Sequence, residues 1–381
     1  MFKIATLNKI APAGLNEFDE NYTIIDDVNQ ANGIMVRSQD MLSMEFSPEL
    51  KAIARAGAGV NNIPLDRCAQ SGIVVFNAPG ANANAVKELV ISTMIMAYRN
   101  VDRAILWSQG LKPTEEMDVA KQVEKGKAQF AGREIIGKTL GVVGLGNVGR
   151  RIGAAARALG MEVVGYDPFI TECEGVEVYS DLKEMVSKAE VITLHLPVND
   201  STKKMINKDV ISCMKDGAVL INYSRDKLVN EDDILEALES RKVMTYVCDF
   251  PNDNLVGRDH IILTPHLGAS TEEAEDNCAI MAADEIRELL ENGNIINSVN
   301  FPKLDMGVRG NKVRIAIMMN GPENPIEDVM GLLSAAGANA NVVQASKRKD
   351  GISYVLVELN EGSPVPEIKA EGQIMSVRVM K

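Results

Sequence analysis

Residues 138–169 read KTLGVVGLGNVGRRIGAAARALGMEVVGYDPF, and they decide the fold. An apolar run, TLGVV, enters Gly144, Gly146 and Gly149 in the spacing G-x-G-x-x-G. A helical pattern of small residues follows, and a second apolar run ends in Asp167, 18 positions after Gly149. Strand, glycine turn, helix, strand and an acid at an offset of about 20 form the full context of a dinucleotide-binding βαβ unit. Gly144 serves the tight turn, Gly146 lets backbone approach a pyrophosphate, and Gly149 lets helix and strand pack closely. The phosphates then meet N–H groups of Gly146, Asn147, Val148 and Gly149 at the helix start. Asp167 can accept hydrogen bonds from the adenosine ribose hydroxyls and would repel a 2′-phosphate. Pro168 rather than Arg follows it, so NAD is expected over NADP.

Working outward, apolar runs alternate with helical patterns on both sides of this unit. Upstream, FKIATL, GIMVR, KAIARAG and IVVF read as buried strands, and PGANANAVKELVISTMIMAYRN as a turn and a helix from about Asn84 to Arg99. Residues 107–138 are polar and read as irregular. Downstream, MEVVGYD, EVITLHLP, GAVLINYS, MTYVCDF and HIILTPH continue the strand series, closed by a long helix beginning after Thr271. Such alternation predicts parallel sheets covered on both faces. After the linker NSVNFPKLD, the order of VRIAIMM, EDVMGLLSAAG, ANVVQASKR, ISYVLVEL, PEIKA and QIMSVRVM is βαββαβ, that of a ferredoxin-like unit.

Composition bounds the function. The 381 residues carry 53 acidic against 40 basic side chains, a net charge of −13, which argues against non-specific nucleic-acid or anionic-membrane binding. The opening MFKIATLNKIAPAGLNEFDE has no apolar core of a signal peptide, and no run is apolar enough to span a bilayer. Cys68, Cys173, Cys213, Cys248 and Cys278 are odd in number and never in CxxC spacing. Neither a disulfide framework nor a metal site is expected, and the reading is a reduced, cytoplasmic protein.

Beyond the glycine loop, RAGAGVNNI (55–63), NAPGANANAVKEL (77–89), GREIIGKTLGVVGLGNVG (132–149), HLP (195–197), INYSRDKLVNEDDIL (221–235) and TPHLGAST (264–271) occur in fixed order. Over residues from about 50 to 290 this resembles the D-isomer-specific 2-hydroxyacid dehydrogenases. The resemblance implies a doubly wound Rossmann nucleotide domain inserted in a smaller flavodoxin-like substrate domain. The expected partition is a substrate domain over 1–98, completed by about 288–303, a nucleotide domain over 99–287, and an ACT-like regulatory domain over 304–381. It also implies an arginine, an acid and a histidine as the reacting set. Arg225 matches the arginine, although Asp226 stands where the family has glycine; its guanidinium can fork a carboxylate and polarise the C2 oxygen. His266 matches the acid/base, and an imidazole can serve alcohol oxidation or ketone reduction. The usual glutamate is absent from CDFPNDNLVGRDH. Asp253 is the expected substitute on a shorter arm, with Asp249, which aligns with the family residue reaching the nicotinamide carboxamide, able to do both jobs. His195, Pro197 and Ser224 are the remaining expected cofactor contacts.

For the substrate, the glycine-rich backbone at Ala58, Gly59 and Val60, with Asn61 beside it, suits a carboxylate. Arg37 and Arg55, at strand ends, can hold a second anion such as phosphate. With an ACT-like tail, the resemblance implies NAD-dependent oxidation of 3-phospho-D-glycerate to 3-phosphohydroxypyruvate, the committed step of L-serine biosynthesis. L-Serine is then a possible effector and a homodimer or homotetramer the expected assembly, although MNGPENPIEDV departs from the usual N-x-P-G turn of ACT domains. The alternatives are glycerate, glyoxylate or 4-phosphoerythronate as substrate, or an NAD-sensing corepressor-like scaffold.

Overall fold

A computed structural model describes residues 1–381. The chain divides into two compact units, one of residues 1–82 with 272–381 and one of residues 83–271.

In the first unit, β1 (Phe2–Leu7), β2 (Tyr22–Ile25), β3 (Gly33–Val36), β4 (Ala52–Arg55) and β5 (Val74–Phe76) form a parallel sheet in the order β2-β1-β3-β4-β5. That is the flavodoxin-like order, with its switch point between β1 and β3. The middle strand β3 is buried at every position. The helix Glu272–Arg287 covers one face, with Ala279, Ala282, Ala283 and Ile286 in the core.

In the second unit, β6 (Thr139–Val143), β7 (Glu162–Tyr166), β8 (Glu177–Tyr179), β9 (Val191–Leu194), β10 (Ala218–Asn222), β11 (Val243–Cys248) and β12 (Ile261–Leu263) make a seven-stranded parallel sheet, ordered β12-β11-β10-β9-β6-β7-β8. The order reverses between β6 and β9, and the crevice at their carboxyl ends is where such sheets take dinucleotides. One face is covered by the helices Ala83–Arg99 and Asn147–Ala158, which share a core with Val142, Val219 and Ile221.

The units meet at 82/83 and 271/272 along the chain, whereas the expected partition drew boundaries at 98/99 and 287/288. Each long helix therefore packs with the unit that follows the earlier boundary, because its apolar face rather than chain continuity selects its partner. Residues 107–138 also hold more order than their polarity indicates. A helix runs over Val101–Gln109 and another over Val119–Gly126, the latter capped by Asp118, whose carboxylate accepts from the Lys121 N–H at 2.8 Å.

The C-terminal strands β13 (Arg314–Asn320), β14 (Ala340–Lys347), β15 (Ile352–Leu359) and β16 (Ile374–Met380) form an antiparallel sheet, β14-β15-β13-β16, with one helix, Pro325–Ala335. The expected second helix at PEIKA does not form. Pro364 and Pro366 remove donors and push their predecessors toward extended backbone, and Gly372 leaves too few residues for a stable turn. One face of the sheet does not stand free. Ala316, Met318, Tyr354, Leu356 and Met380 share a core with Ile286, Leu289, Leu290, Phe301 and Leu304. Fully buried Arg314 donates to the carbonyls of Asn292 at 2.8 Å and Gly307 at 2.9 Å and to Glu358 at 2.9 Å. No helix of the chain is long and apolar enough to cross a membrane.

Candidate active site

The glycine loop shows three different demands on three glycines. Gly144 has φ +99°, and a Cβ there would lie 2.5 Å from the His195 carbonyl oxygen. A Cβ on Gly149 would sit 1.9 Å from the Gly144 carbonyl oxygen, so no side chain fits. A Cβ on Gly146, by contrast, would meet nothing within 4 Å. That open space lies at the cap of the Asn147–Ala158 helix, whose first N–H groups receive no side-chain cap. Uncapped donors, the positive end of the helix dipole and room for close approach fit a pyrophosphate.

Asp167 ends β7, with Oδ2 accepting from the Leu145 N–H at 2.8 Å and Oδ1 from Phe169 and Ile170 N–H at 2.9 and 3.1 Å. The carboxylate ties the glycine loop to the next strand and retains lone pairs for a ribose. His195 follows β9, its N–H donating to the Val143 carbonyl at 2.7 Å and its Nε2 2.8 Å from the Thr193 hydroxyl. Burial pushes its pKa down to about 3, so it presents a neutral imidazole. Pro197 is exposed, and the Ser224 hydroxyl donates to the Leu196 carbonyl at 2.7 Å, joining the ends of β9 and β10.

Arg225 lies just past β10. The buried Asn222 carboxamide donates to its carbonyl at 2.9 Å and accepts from the Ser224 N–H at 3.2 Å, fixing the turn that carries it. Its exposed guanidinium makes one internal bond, to the Ser224 carbonyl at 2.7 Å. Asp226 begins a single 3-10 turn, Asp226–Leu228, and leaves Arg225 in extended backbone.

His266 is exposed and held in left-handed backbone at φ +57°, unusual for a non-glycine residue. The brace is Asp249, 2% exposed: Oδ1 accepts from the Thr264 hydroxyl at 2.6 Å and Leu267 N–H at 2.8 Å, and Oδ2 from Gly268 N–H at 2.9 Å. Gly268 brings its backbone against this carboxylate, since a Cβ there would lie 3.4 Å from Oδ2. All three bonds go to the loop bearing His266, so Asp249 is a brace in this chain. The imidazole itself packs edge-on against Phe250, centroids 5.3 Å apart at 89°.

Asp253 does not pair with His266; the histidine stands in no ion pair, and its ring neighbour is aromatic. The reason is local. Asn252 and Asn254 both donate, at 2.6 Å each, to the two oxygens of Glu231, which pins the 252–254 turn to the start of the helix Glu231–Glu239. Neither Glu231 nor the buried brace of Asp249 carries a spacing signal in the sequence. Thr264 and Gly268, within TPHLGAST, are the partners of Asp249 in the loop.

The expected substrate anchors lie in the other unit. The loop after β4 presents the N–H groups of Ala58, Gly59, Val60 and Asn61, none of which donates within the chain, while the Asn77 carboxamide donates to the Ala58 carbonyl at 2.6 Å. Arg55 Nε donates to the Arg37 carbonyl at 2.9 Å, so the two guanidinium-bearing strand ends are joined. The Arg37 guanidinium is already paired with Glu275 at 2.7 Å, a partner that sequence reading missed.

Residues 91–268 match the family model described as D-isomer specific 2-hydroxyacid dehydrogenase, NAD binding domain. The D-3-phosphoglycerate dehydrogenase of Methanocaldococcus jannaschii is 35% identical over 300 residues, covering 74% of this chain and 55% of that protein. The chain thus spans about half the length of this relative, as it does for a Synechocystis D-3-phosphoglycerate dehydrogenase, at 52%. The hydroxypyruvate reductase of Thermotoga maritima is 34% identical over 71% of this chain and 87% of its own. An NAD+-bound 3-phosphoglycerate dehydrogenase of Entamoeba histolytica superposes with TM-score 0.63 at 29% identity, covering 78% of this chain and 98% of that one. The nucleotide unit with its glycine loop, the braced histidine loop and these relatives agree: the chain belongs to the D-isomer specific 2-hydroxyacid dehydrogenases.

Proposed function

We propose that the chain oxidises 3-phospho-D-glycerate at C2 to 3-phosphohydroxypyruvate. The observation that carries the chemistry is that one unit presents both an exposed imidazole on a braced loop and an exposed guanidinium on a fixed turn. Arg225 takes the substrate carboxylate as a fork and polarises the C2 oxygen. His266 accepts the hydroxyl proton on a ring nitrogen as C2 is oxidised and returns it in the reverse direction. NAD held at the Gly144–Gly149 loop would supply the hydride acceptor for C2. The phosphate is assigned to Arg37 and Arg55 and to the N–H groups of residues 58–61.

A second reading, an unphosphorylated acid such as glycerate run against hydroxypyruvate, is favoured by one observation: Arg37 already has a carboxylate partner. Turnover with NAD on 3-phospho-D-glycerate, D-glycerate and 4-phospho-D-erythronate, and with NADH on hydroxypyruvate and glyoxylate, separates the two. Equal or better use of the unphosphorylated acids removes the phosphate reading. His266→Asn, which keeps a residue tolerant of left-handed backbone, is expected to lower kcat about 10²–10⁴-fold with NAD binding retained. Retained kcat would remove the histidine from the reaction. An L-serine titration in the same assay tests the C-terminal sheet as a sensor, and flat activity removes that role.

A further inference from the structure

We propose that Glu275 is an internal competitor for the anion site at Arg37. Its carboxylate holds the guanidinium until a substrate phosphate displaces it, and it thereby sets the preference between phosphorylated and unphosphorylated acids. The inference rests on the phosphate reading above.

The pair is built to open. Arg37 Nη2 and Glu275 Oε1 are 2.7 Å apart, with their side chains 41% and 43% exposed. The backbone beneath Arg37 is fixed from two sides. Arg55 Nε donates to its carbonyl, and the Asn8 carboxamide oxygen accepts from the N–H groups of Ser38 and Gln39 at 3.0 and 2.8 Å. Only the guanidinium is left to change partners. Glu275 does not depend on Arg37 for its place, because it lies in the first turn of the Glu272–Arg287 helix, where the dipole favours a carboxylate. The neighbouring Arg55 guanidinium lies against Gly57, where a Cβ would come within 2.9 Å of its Nη1.

The chemistry gives the exchange its direction. A phosphate monoester near neutral pH carries close to two charges and three acceptor oxygens against the single charge of the carboxylate, and Arg binds it as a fork. A half-exposed ion pair is weak, so its rupture costs a phosphorylated ligand a few-fold in affinity. A ligand without the phosphate has no reason to break it and binds with Glu275 still in place.

Glu275→Gln, Arg37→Ala and the double variant test this in the full-length chain. Glu275→Gln is expected to lower KM for 3-phospho-D-glycerate by about two- to fivefold, with kcat and the KM for D-glycerate unchanged. Arg37→Ala should raise the KM for the phosphorylated acid and erase the effect of the second substitution. Calorimetric titration with inorganic phosphate gives a readout independent of turnover: tighter binding in Glu275→Gln, weaker in Arg37→Ala. An unchanged or raised KM and unchanged phosphate binding in Glu275→Gln, while Arg37→Ala still weakens both, overturns the competitor role and leaves the phosphate site standing. If Arg37→Ala alters neither quantity, the phosphate reading itself falls, and the inference with it.

Discussion

Replacing Asp249 by Asn removes one charge and almost no volume, yet it strikes the brace of the loop that bears His266, the proposed acid/base. The carboxylate accepts three bonds, two at Oδ1 and one at Oδ2. An amide oxygen placed at Oδ1 keeps the Thr264 hydroxyl and Leu267 N–H, and its NH2 group then faces the Gly268 N–H. The flipped amide keeps Gly268 and sets NH2 against two donors. Either way a buried N–H loses its acceptor, at about 1–3 kcal/mol, and the remaining bonds lose their charge assistance. The sum is about 2–4 kcal/mol. For a unit of residues 83–271, that corresponds to a fall in Tm of about 5–12 °C. Because His266 sits at φ +57° within the released loop, a shift of about 1 Å lowers kcat by about 10²-fold. Thermal denaturation followed by circular dichroism gives the first number and steady-state kinetics the second. Unchanged Tm with weakened NAD binding alone would refute the brace and return Asp249 to a purely cofactor-facing role.

Two further tests follow from contrasts within the structure. Gly146→Ala should leave Tm within about 1 °C, since its Cβ meets nothing, while raising the Kd for NAD about tenfold or more. Gly149→Ala should cost about 1–3 kcal/mol or more by forcing a carbonyl aside, and equal behaviour of the two variants in a melt and an NAD titration would contradict the loop geometry. His195, held neutral with a pKa of about 3, makes the protein acid-labile: below about pH 6.5 the unfolded chain binds a proton that the folded chain does not. Stability from this group is therefore present above about pH 6.5 and is lost as pH falls toward 3, by about 1–2 kcal/mol at pH 5. His195→Gln should shrink the difference in unfolding free energy between pH 7.5 and 5, read from urea titrations, by that amount, and an identical acid-side loss in both proteins would count against a neutral native imidazole.

The nucleotide unit was legible because its signals are local. A glycine turn, a helix of small residues and an acid at a set offset follow one another within 32 residues, and each maps to one geometric demand. The motifs that carry Arg225 and His266 follow apolar runs, and both residues lie on fixed turns past strand ends. What sequence could not supply is long-range. The Glu275 carboxylate reads as an ordinary first-turn acid, and nothing in its neighbourhood points to Arg37. Asp253 is the carboxylate nearest in the chain, whereas Glu231 holds Asn252 and Asn254 to the start of the helix Glu231–Glu239. The missing second helix of the C-terminal sheet was a local failure, in which two prolines outweighed a helical pattern of five letters.

The shared core beneath the C-terminal sheet has a consequence for how this part of the chain can change. With Tyr354, Leu356 and Met380 packed among Ile286, Leu289 and Phe301, and Arg314 bonded to carbonyls of the preceding segment, the sheet serves as flooring for the flavodoxin-like half. Cleavage of the backbone near residue 310 would leave it seated. A C-terminal module exchanged with that of a relative would have to reproduce this apolar footprint. The same core holds Met35 of β3 and Ala52 and Ala54 of β4, the strands that lead to Arg37 and Arg55.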